Sequence, residues 1–160
     1  GGKPVRSRVG HVFMKQEMAE HGCVFGGELS GHFYFRTNYN ADSGAIAMAT
    51  VLTAVAKAAK PVSSMISPVK RYAQSGEINF EIEDKDQALA EIREHYAGRG
   101  SIDDLDGVTV DCFDGEGWWA NIRKSNTEPL LRLNTEAQNA ALLERVVEEI
   151  SPLLGERVEH

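Results

Sequence analysis

The hydrophobic period of this chain changes once, across a short stretch rich in proline and serine. Ahead of it, residues 43 to 60 carry Ile46, Met48, Ala49, Leu52, Val55, Ala56 and Ala59. That spacing gives a helix with a broad apolar face, capped by Asp42 and stopped at Pro61. Beyond it, Ile78, Phe80 and Ile82 alternate with polar residues, which is the period of a half-buried strand. The stretch between, residues 61 to about 76, holds Pro61, Pro68, three serines and Ser75-Gly76 and reads as a connection. The expected division is therefore 1–74 and 75–160, near the lower limit of size for two folded pieces.

The first piece reads as α/β. Gly10 to Glu20 suits a helix, Val24-Phe25 a short strand running into Gly26-Gly27, and His32 to Phe35 a second strand. The second piece reads as α+β, in the order β-α-β-β-β-α, an antiparallel sheet with helices. Its helices are Asp84 to Tyr96, with Leu89, Ile92 and Tyr96 at helical spacing, and a last one capped by Thr135 with Gln138 reaching back. Its later strands carry Val108, Val110 and Cys112, then Trp118 to Ile122, then Leu130 to Leu133. Asp114 to Gly117 is a turn, and the Trp118-Trp119 pair straddles a strand, one ring to the core and one outward.

Composition removes several functions. With 17 basic against 24 acidic residues the formal charge is −7, so the chain lacks the basic footprint that nucleic acid or an anionic membrane demands. No apolar run approaches the roughly 20 residues of a membrane span. Cys23 and Cys112 have no metal-ligand spacing around them and read as free thiols of a reducing, cytoplasmic compartment. Asp103, Asp104 and Asp106 lack the spacing of a calcium loop, and Asp106-Gly107 reads as the turn before a strand. The terminal Glu159-His160 is given no functional weight.

Two loops carry candidate chemistry. Gly26-Gly27-Glu28-Leu29-Ser30-Gly31-His32 places a carboxylate, a hydroxyl and an imidazole at alternate positions of a glycine-rich loop. Such a set suits a polyhydroxylated ligand, because a carboxylate accepts from two neighbouring hydroxyls; the same residues also suit a plain surface turn. Arg123-Lys124-Ser125-Asn126-Thr127-Glu128-Pro129 lies between two predicted strands. A guanidinium fork, two hydroxyls, an amide and backbone N–H groups match the oxygens of a phosphate, though Ser, Asn, Thr and Pro are ordinary turn residues too.

Taken together, the two loops resemble the α-D-phosphohexomutases of the phosphomannomutase/phosphoglucomutase type. Gly26 to His32 is similar to that family's sugar-binding loop, Gly-Glu-x-Ser-Gly/Ala-His. Arg123 to Pro129 is similar to its phosphate-binding loop, Arg-x-Ser-x-Thr-Glu-Pro. Gly10-His11 with Lys15 resembles its Gly-His-x-x-x-Lys segment, and Asp114-Gly115 and Gly117-Trp118 match as well. The resemblance covers nearly the whole chain and implies the later part of the third domain followed by the fourth. Two upstream domains would bear the phosphoserine motif Thr-Ala-Ser-His-Asn-Pro and the Mg²⁺ loop Asp-Gly-Asp-x-Asp-Arg. Neither motif occurs in these 160 residues, so no metal ligand is expected here and the piece alone is expected to be inactive.

The activity implied is interconversion of hexose 1-phosphate and hexose 6-phosphate through a bisphosphorylated sugar that turns round in the cleft. By resemblance Glu28 and Ser30 hold sugar hydroxyls, and Arg123, Ser125, Asn126 and Thr127 hold a phosphate whichever carbon bears it. His11 and His32 match two histidines of the cleft and are the catalytic candidates, able to donate to phosphate or move a proton. The implied partners are a hexose phosphate, a hexose bisphosphate and the missing N-terminal domains. Leu29 stands where phosphoglucosamine mutases usually have glutamine, which favours the phosphomannomutase/phosphoglucomutase branch over that one. A non-catalytic sugar-phosphate-binding module is the remaining alternative.

Overall fold

A computed structural model describes residues 1–158 of the chain. The backbone divides into two units, Gly1–Lys70 and the residues from Arg71 onward. The first strand of the second unit, β4 (Ala73–Glu81), begins ahead of residue 74, where composition put the join.

The first unit opens with α1 (His11–Glu20) and an antiparallel sheet of three short strands, β1 (Phe25–Gly27), β2 (Phe33–Phe35) and β3 (Ala41–Asp42), in the order β1-β2-β3. A 3₁₀ turn, Arg36–Asn38, joins β2 to β3. Gly26 pairs with Tyr34 across the hairpin. A β-carbon at Gly26 would meet Met14 Sδ at 2.7 Å and Met18 Sδ at 3.1 Å, so the missing side chain is what lets α1 approach the sheet. Met18 and Tyr34 are the buried apolar side chains of this unit.

Then come α2 (Gly44–Ala58) and the short α3 (Val62–Ile66). The cap of α2 is Ser43, whose Oγ accepts from Ile46 N at 3.2 Å, and not Asp42. Asp42 is taken up by β3, in register with Tyr34, and is no longer available to the helix. The helix ends as expected before Pro61, with Ala59 in the left-handed region at φ 48°.

The second unit is a six-stranded sheet packed on two helices. After β4 come α4 (Lys85–His95), β5 (Ser101–Asp103), β6 (Val108–Asp111), α5 (Phe113–Glu116), β7 (Trp118–Lys124), β8 (Leu131–Ala137), α6 (Ala140–Ile150) and β9 (Glu156–Val158). The order is β5-β6-β7-β8-β4-β9, with every pairing antiparallel. The β-α-β-β-β-α frame is present. It gains two edge strands of three residues each, β5 and β9, too short and too charged to show a period. The turn expected at Asp114 to Gly117 is a single helical turn.

Alternation decides the two faces of this sheet. Ile78, Phe80, Val108, Val110, Trp118, Ala120, Ile122, Leu131 and Leu133 are buried with Leu89 and Ile92 of α4 and Val146 and Ile150 of α6. The intervening positions, among them Glu77, Asn79, Trp119, Asn121, Arg123 and Arg132, belong to the other face. Thr135 caps no helix: it lies in β8, and its hydroxyl donates to the Trp119 carbonyl at 2.5 Å. The cap of α6 is Asn139, accepting from Leu142 N at 3.0 Å. The strand runs four residues past Leu133 because its register with β7 continues to Trp118↔Ala137.

Candidate functional site

The glycine-rich loop is the tip of the β1–β2 hairpin. Glu28 N donates to His32 O at 3.0 Å, and Gly31 N donates to Glu28 O at 3.0 Å. Gly31 sits at φ +84°, which a side chain would disfavour. This turn, rather than an extended strand, gathers the three polar groups. Ser30 Oγ lies 2.9 Å from His32 Nδ1 and donates to Glu28 Oε2 at 3.3 Å. Leu29 points away and is 80% exposed.

Glu28 is held from two sides. Its Oε1 accepts from the Gly10 amide at 3.0 Å, and its Oε2 accepts from the Tyr34 hydroxyl at 3.2 Å. Its side chain is 9% exposed, against 55% for His32. Tyr34 is raised to about 12, first by burial and then by the charge and hydrogen bond of Glu28. It therefore stays a proton donor to the carboxylate across the neutral range. A carboxylate offers about four lone-pair directions, so with Gly10 N, Tyr34 and Ser30 already donating about one remains for a further hydroxyl donor, and a second if Ser30 turns away. His11, exposed at the start of α1, follows directly on the glycine whose amide binds Glu28. The structure thus brings Glu28, Ser30 and His32 together and ties the Gly10-His11 segment to them.

The second loop is closed at its base by Ser125 N donating to Leu130 O at 2.9 Å, where β7 and β8 part. Ser125 Oγ accepts from Thr127 N at 3.4 Å and Glu128 N at 3.2 Å and lies 3.5 Å from Thr127 Oγ1. The hydroxyls of Ser125 and Thr127 and the N–H groups of Thr127 and Glu128 are thus gathered within one turn, the N–H groups donating to Ser125 Oγ; such a donor set is suited to an anion. Arg123 stands differently from Ser125 and Thr127. It is 7% exposed, turned onto the open face of the sheet, and its Nη2 donates to Glu77 Oε2 at 3.0 Å. Lys124 faces the other way and pairs with Asp86 at 2.6 Å.

Sequence reasoning missed Gly10 N, Tyr34, Glu77 and Arg132 as partners of these groups. Tyr34 continues the even-numbered row of Glu28, Ser30 and His32. Glu77 flanks Ile78 and Phe80 on the alternate face. Both signals were visible as alternation, but pairing across strands is a register property that no single segment carries.

Among the described residues, the acid and histidine groups close enough to share an ion are Glu17, Glu20 and His21 at the end of α1. Two carboxylates and an imidazole do not meet the oxygen-rich octahedron of Mg²⁺, so this group of donors does not fit that ion. No helix among the described residues is long and apolar enough to cross a membrane.

Comparison with known proteins places these loops in context. The family model described as phosphoglucomutase/phosphomannomutase, alpha/beta/alpha domain III matches residues 1–72, and that described as the phosphoglucomutase/phosphomannomutase C-terminal domain matches residues 77–153. A phosphomannomutase of Methanocaldococcus jannaschii is 39% identical over 97% of this chain and 34% of its own length. The phosphohexose mutases protein of Xanthomonas campestris pv. campestris is 41% identical over 96% of this chain and 34% of its own. A crystal structure of a phosphoglucomutase/phosphomannomutase family protein from Burkholderia thailandensis superposes with a TM-score of 0.80 at 26% identity, over 96% of this chain and 32% of that one. The chain thus spans about a third of the length of the relatives it matches.

Proposed function

The chain belongs to the phosphoglucomutase/phosphomannomutase family, and from that premise we propose that it is the third-domain and C-terminal part of a phosphohexomutase. The enzyme interconverts hexose 1-phosphate and hexose 6-phosphate through a bisphosphorylated sugar, in the cytoplasm. Its phosphoserine and its Mg²⁺ loop reside in sequence outside these residues, and Mg²⁺, when bound there, supplies charge neutralisation for phosphoryl transfer. This chain supplies binding. Glu28, oriented by the Gly10 amide and Tyr34, accepts from sugar hydroxyls, with Ser30 beside it. His32 and His11 donate to the substrate or carry a proton at its edge. Ser125, Asn126, Thr127 and Arg123 hold a phosphate without reading the carbon that bears it, since every phosphate offers the same oxygens.

The observation that carries this reading is the loop between β7 and β8. Two hydroxyls and two backbone N–H groups are gathered in one turn, Ser125 Oγ accepting from the N–H groups, and the ends of the loop are fixed by the strand register. A loop already formed loses little entropy on binding. Exposure to water weakens each contact, so the expected dissociation constant for a hexose phosphate is about 1 mM or weaker. Titration of glucose 1-phosphate into the ¹⁵N-labelled chain tests this. The amide shifts are expected at Ser125, Asn126, Thr127 and Glu128 and are lost in Arg123→Ala. Shifts centred on Glu28 and His32, with the 125–128 amides unmoved, would sink the phosphate assignment.

A further inference from the structure

The open face of the second unit's sheet carries an ion network that the proposed phosphate contacts do not explain. Arg123 of β7 and Arg132 of β8 are register partners, so two guanidiniums stand side by side on one face. Between them lies Glu77 of β4. Its Oε2 accepts from Arg123 Nη2 at 3.0 Å and its Oε1 from Arg132 Nη1 at 3.1 Å. Arg132 also reaches back into the loop, its Nη2 donating to Glu128 Oε2 at 2.5 Å. Two arginines and two glutamates sum to zero charge, and one of the four, Glu128, belongs to the loop itself. Two polar atoms beside them, Arg132 Nε and Asn79 Oδ1, are buried without partners, and their residues pair in register. The hydrogen bonding of this layer is therefore incomplete in the free chain.

We propose that Glu77 is the resident counter-ion of the phosphate loop, occupying Arg123 in the free protein and yielding it to the incoming phosphate. The proposal rests on the phosphate reading given above and sets how tightly that loop holds its ligand. With the Arg123 side chain 8% exposed, no phosphate in solution meets it until the guanidinium leaves or shares the Glu77 carboxylate. The exchange replaces one charge-assisted hydrogen bond by another, so the contribution of Arg123 to phosphate binding is reduced by what leaving Glu77 costs. A loop built this way selects an anion carrying more charge than a carboxylate and releases it readily. Glu77 touches no ligand and acts through Arg123, which makes it a positioning residue.

The test uses the 160-residue chain, inorganic phosphate as the probe, and two readouts. In the first, phosphate is titrated against the amides of Ser125, Thr127 and Glu128 in the wild type, Glu77→Gln, Arg123→Ala and the double variant. Glutamine keeps the shape and removes the charge, so Glu77→Gln is expected to bind phosphate about tenfold tighter, a factor worth about 1.4 kcal/mol. That gain should vanish in the double variant and shrink as salt is raised. Affinity unchanged or weaker in a folded Glu77→Gln protein overturns the proposal. The second readout needs no variant and stands if Glu77→Gln fails to fold: the Arg123 side-chain ¹⁵N resonances should move at saturating phosphate. Resonances that stay in their free-state position while the loop amides shift also overturn it. If phosphate moves no loop amide in either the wild type or Glu77→Gln, the phosphate reading itself falls and takes this proposal with it. Shifts that emerge only in Glu77→Gln would instead support Glu77 as the group that masks the site.

Discussion

Tyr34 shows at the residue scale how one buried hydroxyl can organise a surface loop. It is 1% exposed and donates to Glu28, and burial with the nearby carboxylate charge pushes it up to about 12. Tyr96 is also raised, by burial first and then by its hydrogen bond to Glu149. The chain has four tyrosines, so alkaline titration by absorbance should split. The part of the signal owed to Tyr34 and Tyr96 should come late, above the ordinary tyrosine value of about 10. Phe in place of Tyr34 should remove part of the late step. The sign for stability follows: Tyr34 holds its proton more tightly folded than unfolded, so its contribution is complete below about pH 10 and lost as pH rises towards 12. Gly107 is constrained as strongly by sterics. It sits at φ +70°, and an added β-carbon would lie 2.2 Å from Ile122 O and 2.7 Å from Arg123 Cα, both in backbone that cannot yield. Gly107→Ala should therefore destabilise the second unit by about 3 kcal/mol in denaturant melts. A loss below about 1 kcal/mol would show that the strand gives way more easily than this geometry allows.

At the scale of elements, the ends of α4, α5 and α6 are clamped by one arginine. Arg99 donates to Glu116 at 2.7 Å and to Glu149 at 2.5 Å, and stacks over Tyr96 and Trp118 with its guanidinium carbon 5.1 and 5.8 Å from the ring centres. Glu116 is lowered from 4.5, first by the Arg99 hydrogen bond and then by Trp118 Nε1. For Glu149 burial acts to raise the value, but the Arg99 and Tyr96 hydrogen bonds outweigh it and the net shift is down. Both carboxylates are depressed, so their contribution is present above about pH 4.5 and lost as pH falls below it. Melting temperature followed from pH 7 to 3 should fall below that point. The fall should be shallower in Glu116→Gln, and an identical profile in that variant would remove Glu116 from the clamp. Capping shows how far local sequence reaches. Asp84, where the helical stretch was expected to begin, caps α4, its Oδ1 accepting from Gln87 N at 2.9 Å. Asp42 and Thr135 had equally good local credentials but were recruited into β3 and β8. A capping residue next to a strand is claimed by whichever partner the register delivers.

Over the whole molecule the two units differ in how much core they own. The second buries a continuous cluster from Ile78 to Leu154, whereas the buried apolar side chains of the first are Met18 and Tyr34. None of the residues of α2 is buried, and Met48, Val51 and Leu52 are 62, 59 and 60% exposed. Free energy of opening follows buried apolar contact. Hydrogen exchange on the 160-residue chain should therefore protect β4, β6, β7 and β8 most, and leave α2 exchanging at least about a hundredfold faster, a difference of some 2.7 kcal/mol. Equal protection of α2 and β7 would mean that the apolar face is covered in solution. A second outcome belongs to this scale. The 160 residues contain no Thr-Ala-Ser-His-Asn-Pro phosphoserine motif and no Asp-Gly-Asp-x-Asp-Arg loop, so the chain alone should not interconvert glucose 1-phosphate and glucose 6-phosphate. Turnover with Mg²⁺ and the bisphosphate, persisting after removal of host mutase, would contradict this.

Local order was enough to anticipate a helix over 43–60, which forms as Gly44–Ala58, the alternating strands, and the two loops proposed to bind substrate, because periodicity and turn residues act over a few neighbours. The residues proposed to hold sugar and phosphate could be picked out for the same reason: each set is contiguous, and the family models run through both loops. The partners of those residues were decided only by tertiary structure. Glu28 meets the Gly10 amide across 18 positions, and Arg123 meets Glu77 across 46. Contacts at such separations depend on strand register and helix placement, which cooperative packing of the whole sheet selects and which leave no mark on either segment alone.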